Sequence, residues 1–306
     1  MKTAAIQMRA RCADVAANME KAEKLVKEAF FKGAKWVILP EFFTSGMAFH
    51  PKMKKAWQPA DGAPFKMLMA LAKKHNGVVG GSFLAKVQSD VVNRFILAFS
   101  DGRFFYHDKD QPTMWENCYY VGGNDKGIID TGEYRVGAAL CWELVRTRTA
   151  GRLLGKVDFV VGGSCWWGLP KKKVPGFPMR LQGQMLDIMK DTPKTMACIL
   201  GVPLVHAAHA GEFTGRMPLM PGFPFQSYLV GETMIVDARG NILAHMAREE
   251  GDGSIVAEIN PGAIEAKLPV PEGFWIPKLP WQLKMIWAYQ NFHGRYYYKL
   301  TGASRQ

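Results

Sequence analysis

The stretch GAALCWELVR, residues 137–146, decides how this chain is read. The run YRVGAAL has the small and apolar composition of a buried strand, and it ends on Cys141, with Trp142 and Glu143 directly after. Core cysteines are common and mostly inert. A cysteine at the carboxyl end of a strand is a different case, because loops there are held by a rigid scaffold and gather reactive groups. Cys141 therefore reads either as a packed thiol or as a nucleophile, and its partners elsewhere in the chain decide.

Outward from this point, apolar β-rich runs alternate with helix-like runs. TAAIQM reads as a strand, and VAANMEKAEKLVKEAFFKGA has apolar residues at helical spacing with Gly33 as a stop. KWVILPE is a buried strand ended by Pro40, and FKMLMALAKKHNG is a helix stopped by Asn76 and Gly77. VVGGSFL is a strand, followed by the hairpin RFILAFSDGRFFYHD with Asp101-Gly102 as its turn. Beyond Cys141 come a helix from Arg146 to Leu154, the strand VDFVVGGS, and a helix over 182–200 with Pro193 inside it or between two pieces. PLVHAAH, the hairpin ETMIVDARGNILAHM and SIVAEI complete the strands, while RMPLMPGFPF at 216–225 reads as an apolar loop. βα units mixed with hairpins imply a mixed pair of sheets with helices outside, in one domain. No linker, internal repeat or low-complexity tract marks a boundary.

Three polar groups stand at strand ends: Glu41 after WVILP, Lys109 after RFFYHD, and Cys141. A thiol near a base and a cation has what nucleophilic catalysis needs: the base takes the proton, and the cation steadies a thiolate and later an oxyanion. Here the residues carry a likeness. ILPEFF, the lysine of DKDQPTMWE, and LCWEL resemble the Glu–Lys–Cys triad of the nitrilase superfamily, the carbon–nitrogen hydrolases, and the likeness extends from AIQM through GETMIVDARGNILAH to the strand before Asn260. It implies a four-layer α-β-β-α sandwich, usually paired as a homodimer, with Glu41 as base, Lys109 as cation, Cys141 as nucleophile and Glu116 as a second glutamate. It implies attack by Cys141 on an amide, passage through a thioester, and release of an acid, with Trp142 supplying a backbone N–H to the oxyanion. KDQPTMWE and CWE are similar to the nitrilase branch itself, so hydrolysis of a nitrile stands beside hydrolysis of an amide. A non-catalytic membrane- or partner-binding protein on the same fold is the third reading. Asp108 and Asp110 flank the lysine where a basic neighbour is usual, and they either hold Lys109 protonated or compete for it. The segment GGSCWWGLPKKKVPGFPMRLQGQ departs from the family and leaves the substrate open; Cys165 reads as pocket wall, with Trp166 and Trp142 as substrate contacts.

The five cysteines are odd in number and lack CxxC spacing, which points to free thiols in a reducing compartment. The opening MKTAAIQMRA is too broken for a signal peptide, and no apolar run is long enough to span a membrane, so the expected location is cytoplasmic. His206 and His209 lie three apart in what reads as strand then loop and point to opposite faces, so no metal is assigned to them. The glycine pairs of VGGNDKG and VVGGSC are not phosphate loops, and no cofactor is implied.

The net charge is +12. Short lysine clusters at 52–55 and 171–173 do not make a nucleic-acid module. Residues 1–270 read as the hydrolase domain and 271–306 as an aromatic, basic tail: from Gly273 onward there is no acidic residue, but there are three tryptophans, Trp275, Trp281 and Trp287, and five Lys or Arg. Such a tail suits either a dimer interface or the boundary of water and lipid. Were it to gather with 166–178 and 216–225 around the pocket mouth, the enzyme would sit peripherally on a bilayer and take an amide with an apolar acyl chain.

Overall fold

A computed structural model describes residues 1–170, 180–217 and 220–301. The strands are β1 (Lys2–Met8), β2 (Trp36–Ile38), β3 (Gln58–Pro59), β4 (Val78–Val87), β5 (Asp90–Phe99), β6 (Phe104–Asp108), β7 (Ile128–Asp130), β8 (Arg135–Ala138), β9 (Phe159–Ser164), β10 (Leu204–Met217), β11 (Met220–Val230), β12 (Thr233–Val236), β13 (Ile242–Met246) and β14 (Gly253–Glu258). The helices are α1 (Val15–Phe31), α2 (Ala63–His75), α3 (Thr147–Leu153), α4 (Arg180–Leu200) and α5 (Trp281–Thr301).

The strands fall into two mixed halves, ordered β6-β5-β4-β2-β1-β14 and β7-β8-β9-β10-β12-β13. Among the described residues they join where Gln7 and Met8 at the tip of β1 pair with Ala208 and His209 of β10. Alternation along each strand sends successive side chains to opposite faces and so builds the layers. Ala4, Ile6, Val37 and Val79 face Leu25, Val26, Leu68 and Leu71 of α1 and α2. Their neighbours Ala5, Trp36 and Ile38 face inward and meet Val136, Phe159, Val161 and Val205 of the other half. Trp36 meets Phe159 edge to face at 5.2 Å across that inner layer. Val160, Leu204 and Met234 face outward again onto Leu153 of α3 and Met196 and Leu200 of α4. The result is helix, sheet, sheet, helix.

Local signals act as expected at several ends. The Asp14 carboxylate caps α1 by accepting from the Ala17 N–H, and Asn76 ends α2 in the left-handed region at φ 47°. Pro193 lies inside a single continuous α4. Two readings are corrected. β8 stops at Ala138, and Cys141 begins a 3₁₀ turn, Cys141–Val145, rather than ending a strand. The stretch read as a loop at 216–225 is largely strand: β11 runs antiparallel to the long β10, and Pro224 is tolerated there because a strand paired along one edge need not donate from every residue. Of the aromatic and basic patch expected at 166–178, residues 171–178 lie outside the described residues, as do 302–306.

The tail is built into the body of its own chain. Leu279 and Leu283 are buried in the same cluster as Cys141, Trp142 and Trp166. The Ile276 N–H donates to the Val145 carbonyl at 2.9 Å. Trp287 stacks on Trp142 with ring centroids 5.2 Å apart, and Trp275 meets both rings edge-on. Of the three tryptophans offered to a partner or lipid, Trp275 and Trp287 are thus half-buried in an intramolecular cluster, and Trp281 alone is exposed.

Candidate active site

Glu41 sits three residues beyond β2, fully buried, and its carboxylate is held by three donors. Oε1 accepts from Lys109 Nζ at 2.8 Å and Asn93 Nδ2 at 2.9 Å; Oε2 accepts from the backbone N–H of Cys165 at 3.0 Å. Its carbonyl lies 2.8 Å from His209 Nε2. Lys109 Nζ reaches a second carboxylate, Glu116 Oε2, also at 2.8 Å. That same oxygen accepts from the Thr113 N–H at 2.8 Å and from the Tyr120 hydroxyl, while Glu116 Oε1 has no hydrogen-bond partner.

The backbone at this place is specialised. Cys141, Met114 and Phe42 are non-glycine residues with φ of 50°, 54° and 54°. They lie at Cys141 itself, two residues before Glu116 and one after Glu41. Left-handed backbone at such residues is uncommon and clusters at functional sites. Two glycine pairs permit the close crossings. A Cβ at Gly163 would lie 2.8 Å from the Glu41 nitrogen, and one at Gly162 would collide with the Ala139 carbonyl. Cβ atoms at Gly122 and Gly123 would collide with the carbonyls of Asp110 and Asp108, on either side of Lys109. The pairs noted in the sequence are therefore pinning points for the loops that carry Glu41, Lys109 and Cys141.

Charge is distributed unevenly. Burial pushes the Glu41 carboxyl up, Lys109 pulls it down, Glu116 pushes it up again, and the balance is about 7. Burial alone would lower Lys109, but Glu116 and Glu41 outweigh it and hold the ammonium well above its usual range. Burial and then Glu41 raise the Cys141 thiol well above its usual range against the pull of Lys109. The resting group is therefore S–H, in keeping with the expectation that a base takes its proton. Burial and then Glu41 raise the Cys165 thiol as well, and its backbone N–H donates to Glu41.

Asp108 and Asp110 neither hold nor compete for Lys109. Neighbours on a strand point apart. Asp108 pairs with Arg94 through two bonds of 2.8 and 2.7 Å, and Asp110 pairs with Arg146 at 2.7 Å and Arg152 at 3.3 Å. Asp110 belongs to a second buried cluster around Glu143. The Glu143 carboxylate accepts from the Leu140 N–H at 2.8 Å, from Arg152 at 2.8 Å and from the Asp110 N–H at 3.2 Å, and it lies 2.9 Å from His107 Nε2. It thereby caps the turn that begins at Cys141.

Sequence reasoning did not find Asn93, His107 or Arg152, and it weighed His209 only as a metal ligand. Asn93 is a polar residue in an otherwise largely apolar strand, visible only as a break in the alternation. His206 and His209 do face opposite ways: His206 Nε2 lies 2.7 Å from Ser164 Oγ, and His209 bridges toward Met8 and Glu41 carbonyls. Burial lowers both rings to about 4, so they are neutral.

Trp142 and Trp166, centroids 5.3 Å apart, form with Trp275, Trp287, Trp115 and Trp167 an aromatic wall in the cluster that contains Cys141. Trp115 stacks on Trp167 at 3.8 Å. The buried indole N–H groups of Trp115 and Trp166 have no partner.

Comparison with known proteins gives the family and the fold. The carbon-nitrogen hydrolase family model matches residues 2–155, half of the chain, and the chain belongs to that family. Omega-amidase YafV of Escherichia coli is 27% identical over 132 residues, which is 42% of this chain and 50% of that protein; the match spans only half of that relative's length. Cyanide hydratase of Armillaria gallica is 22% identical over 253 residues, 77% of this chain and 70% of that one. The fold matches Nit3 of Saccharomyces cerevisiae, a member of branch 10 of the nitrilase superfamily, with TM-score 0.67 at 20% identity over 85% of this chain and 90% of that one. It also matches an amidase from Nesterenkonia sp. AN1 in which acrylamide has added to the active-site cysteine, with TM-score 0.63 at 16% identity over 85% and 93% of the two chains.

Proposed function

We propose that this carbon–nitrogen hydrolase is an amidase acting on a small non-peptide amide with an apolar acyl group, through a thioester on Cys141. The observation that carries this reading is the buried constellation in which Lys109 Nζ lies 2.8 Å from both Glu41 and Glu116, with Cys141 buried beside them on left-handed backbone. Burial keeps the thiol protonated and raises the Glu41 carboxyl to about 7, where a general base works best near neutral pH. Glu41 takes the thiol proton as sulfur bonds to the acyl carbon. The oxygen that gains the charge is held by Lys109 Nζ and the backbone N–H of Trp142. Collapse breaks the C–N bond, and the proton on Glu41 leaves with the nitrogen as ammonia or an amine. Water then attacks the thioester, giving one proton to Glu41 and its hydroxyl to the acyl carbon. Departure of sulfur returns the proton to Cys141 and frees the acid.

Glu116 fixes Lys109 through Oε2 and keeps Oε1 free for an N–H of the substrate. The aromatic wall around Trp142 and Trp166 supports an apolar acyl group, and the unpartnered indole N–H groups suit one acceptor on it. The amidases among the relatives favour an amide. The longer alignment with cyanide hydratase supports a second reading, a nitrile substrate, in which addition of the thiol gives a thioimidate and water then releases ammonia.

Intact mass spectrometry of wild type and Cys141→Ala, mixed with a panel of amides and nitriles of graded chain length, tests this. An adduct of acyl mass on wild type alone, with acid in solution, is the expected result. An adduct that persists in Cys141→Ala overturns the assignment, and turnover of nitriles alone replaces the amide reading by the nitrile one.

A further inference from the structure

The inner face of α5 is committed to the site. Asn291 Oδ1 accepts from the Met114 N–H at 3.0 Å and Asn117 Nδ2 at 2.9 Å, Gly294 lies against Asn117, and the Tyr298 hydroxyl accepts from the Val91 N–H at 3.0 Å. The outer face has no such role. Trp281, Met285, Tyr289, Phe292, Tyr296 and Leu300 recur in steps of three or four residues and so share one side of the helix. All are exposed, Phe292 at 77% and Trp281 at 64%. The stripe is about 28 Å long at helical rise. A contiguous apolar strip of this kind marks an interaction surface, whereas single exposed side chains do not.

Charge identifies the partner. Lys284, Arg295 and Lys299 are exposed along one flank of the stripe, and the sequence from Gly273 to Gln306 holds no acidic residue. A second copy meeting this face by two-fold symmetry would set these cations against their own equivalents, with no carboxylate on either helix to answer them. A bilayer with anionic headgroups answers both features: cations reach the phosphates while the aromatic stripe enters the boundary of headgroup and acyl chain, where Trp and Tyr rings are favoured. We propose that the outer face of α5 docks this protein peripherally on anionic membrane. The surface is distinct from Trp275 and Trp287, and it does not depend on which carbon–nitrogen bond is cleaved.

The test is co-sedimentation of the full chain with vesicles of phosphatidylcholine alone and of phosphatidylcholine with phosphatidylglycerol, together with the blue shift of tryptophan emission. Binding to the anionic vesicles is expected, with little to the neutral ones. Met285→Ser with Phe292→Ser should abolish it. Lys284→Gln, Arg295→Gln and Lys299→Gln together should weaken it about a hundredfold, roughly fivefold per cation. These side chains face outward, so circular dichroism melts should match wild type, separating lost docking from lost folding. Absence of binding at any anionic content overturns the proposal. So does binding that survives the serine pair. A dimer in sedimentation velocity that the serine pair dissolves, with no vesicle binding, assigns the face to a second copy instead.

Discussion

Two short turns in this protein share a local code and differ in use. Thr113-Met114-Trp115-Glu116 and Leu140-Cys141-Trp142-Glu143 each place a left-handed residue second and a glutamate fourth, and each glutamate accepts from the N–H three residues before it. Both glutamates are fully buried. What separates them is the ratio of cations to carboxylates nearby. Around Glu143 stand Arg146, Arg152 and His107 with Asp110 and Asp125, and the cluster is balanced. Burial opposes its charge, but His107 and then the arginines win, and Glu143 is held well below the usual carboxylate range. Around Glu116 a single Lys109 serves two carboxylates, and burial, with Glu116 adding to it, outweighs that one cation and leaves the Glu41 carboxyl at about 7. The same capping device is a scaffold where charge is neutralised and a chemical tool where one carboxylate too many is left.

The comparison is broken most severely on the surplus side. Glu41→Gln keeps the shape of the side chain but removes the basic oxygen, and kcat/KM should fall by about 10²- to 10⁴-fold. Steady-state assay beside a thermal melt checks this; a rate within threefold of wild type would remove Glu41 from the role of base. On the balanced side the effect moves from rate to stability. Glu143→Ala strips the acceptor from Arg152, His107 and the Leu140 N–H together, and breaking a buried ion cluster in this way costs about 3–5 kcal/mol. Urea unfolding reads it directly, and a loss under about 1 kcal/mol would mean that the cluster does not hold the turn.

The balanced cluster also has a pH signature. Burial lowers His107, but Glu143 and Asp125 outweigh it and raise the imidazolium to about 9. Its folded value lies above the unfolded 6.5, so the stability it contributes is complete below pH 6.5 and is lost as pH rises through 9. The difference corresponds to about 3 kcal/mol. Melts of wild type between pH 6 and 10 should fall along this limb, and His107→Gln should flatten it.

Much of this was legible from residues alone, for physical reasons that also mark the limits. Glu41, Lys109 and Cys141 stand out because each charged or reactive group follows a strand and breaks an apolar run. The layers follow from alternation, which needs only neighbours in sequence. The partners of Asp108 and Asp110 were not legible: Arg94 faces Asp108 from the paired strand, and Arg146 and Arg152 come from beyond the nucleophile. The site of α5 was missed because its inner face carries Asn291 and Gly294, which look like poor helix residues until Asn117 is seen against them. The glycine pairs were read only as not being phosphate loops, since a close crossing of backbones leaves no mark except the missing side chain.

The smallest change sharpens the surplus side most. Asn93 Nδ2 donates to Glu41 Oε1, and its own Oδ1 is buried without a partner. Asn93→Ala therefore removes one donor from the carboxylate and breaks no other side-chain bond. A hydrogen bond to a charged group is worth about 1.5–3 kcal/mol, and its loss disfavours the ionised form. With Glu41 as the proposed base only its ionised form is active, so in wild type kcat/KM should rise with pH through about 7. In Asn93→Ala the same limb should lie about one to two pH units higher, with the plateau at high pH largely recovered. A purely structural Asn93 would instead lower the whole profile and leave its midpoint in place. The position of the limb, rather than the size of the loss, decides between a residue that tunes the base and one that only fills the strand.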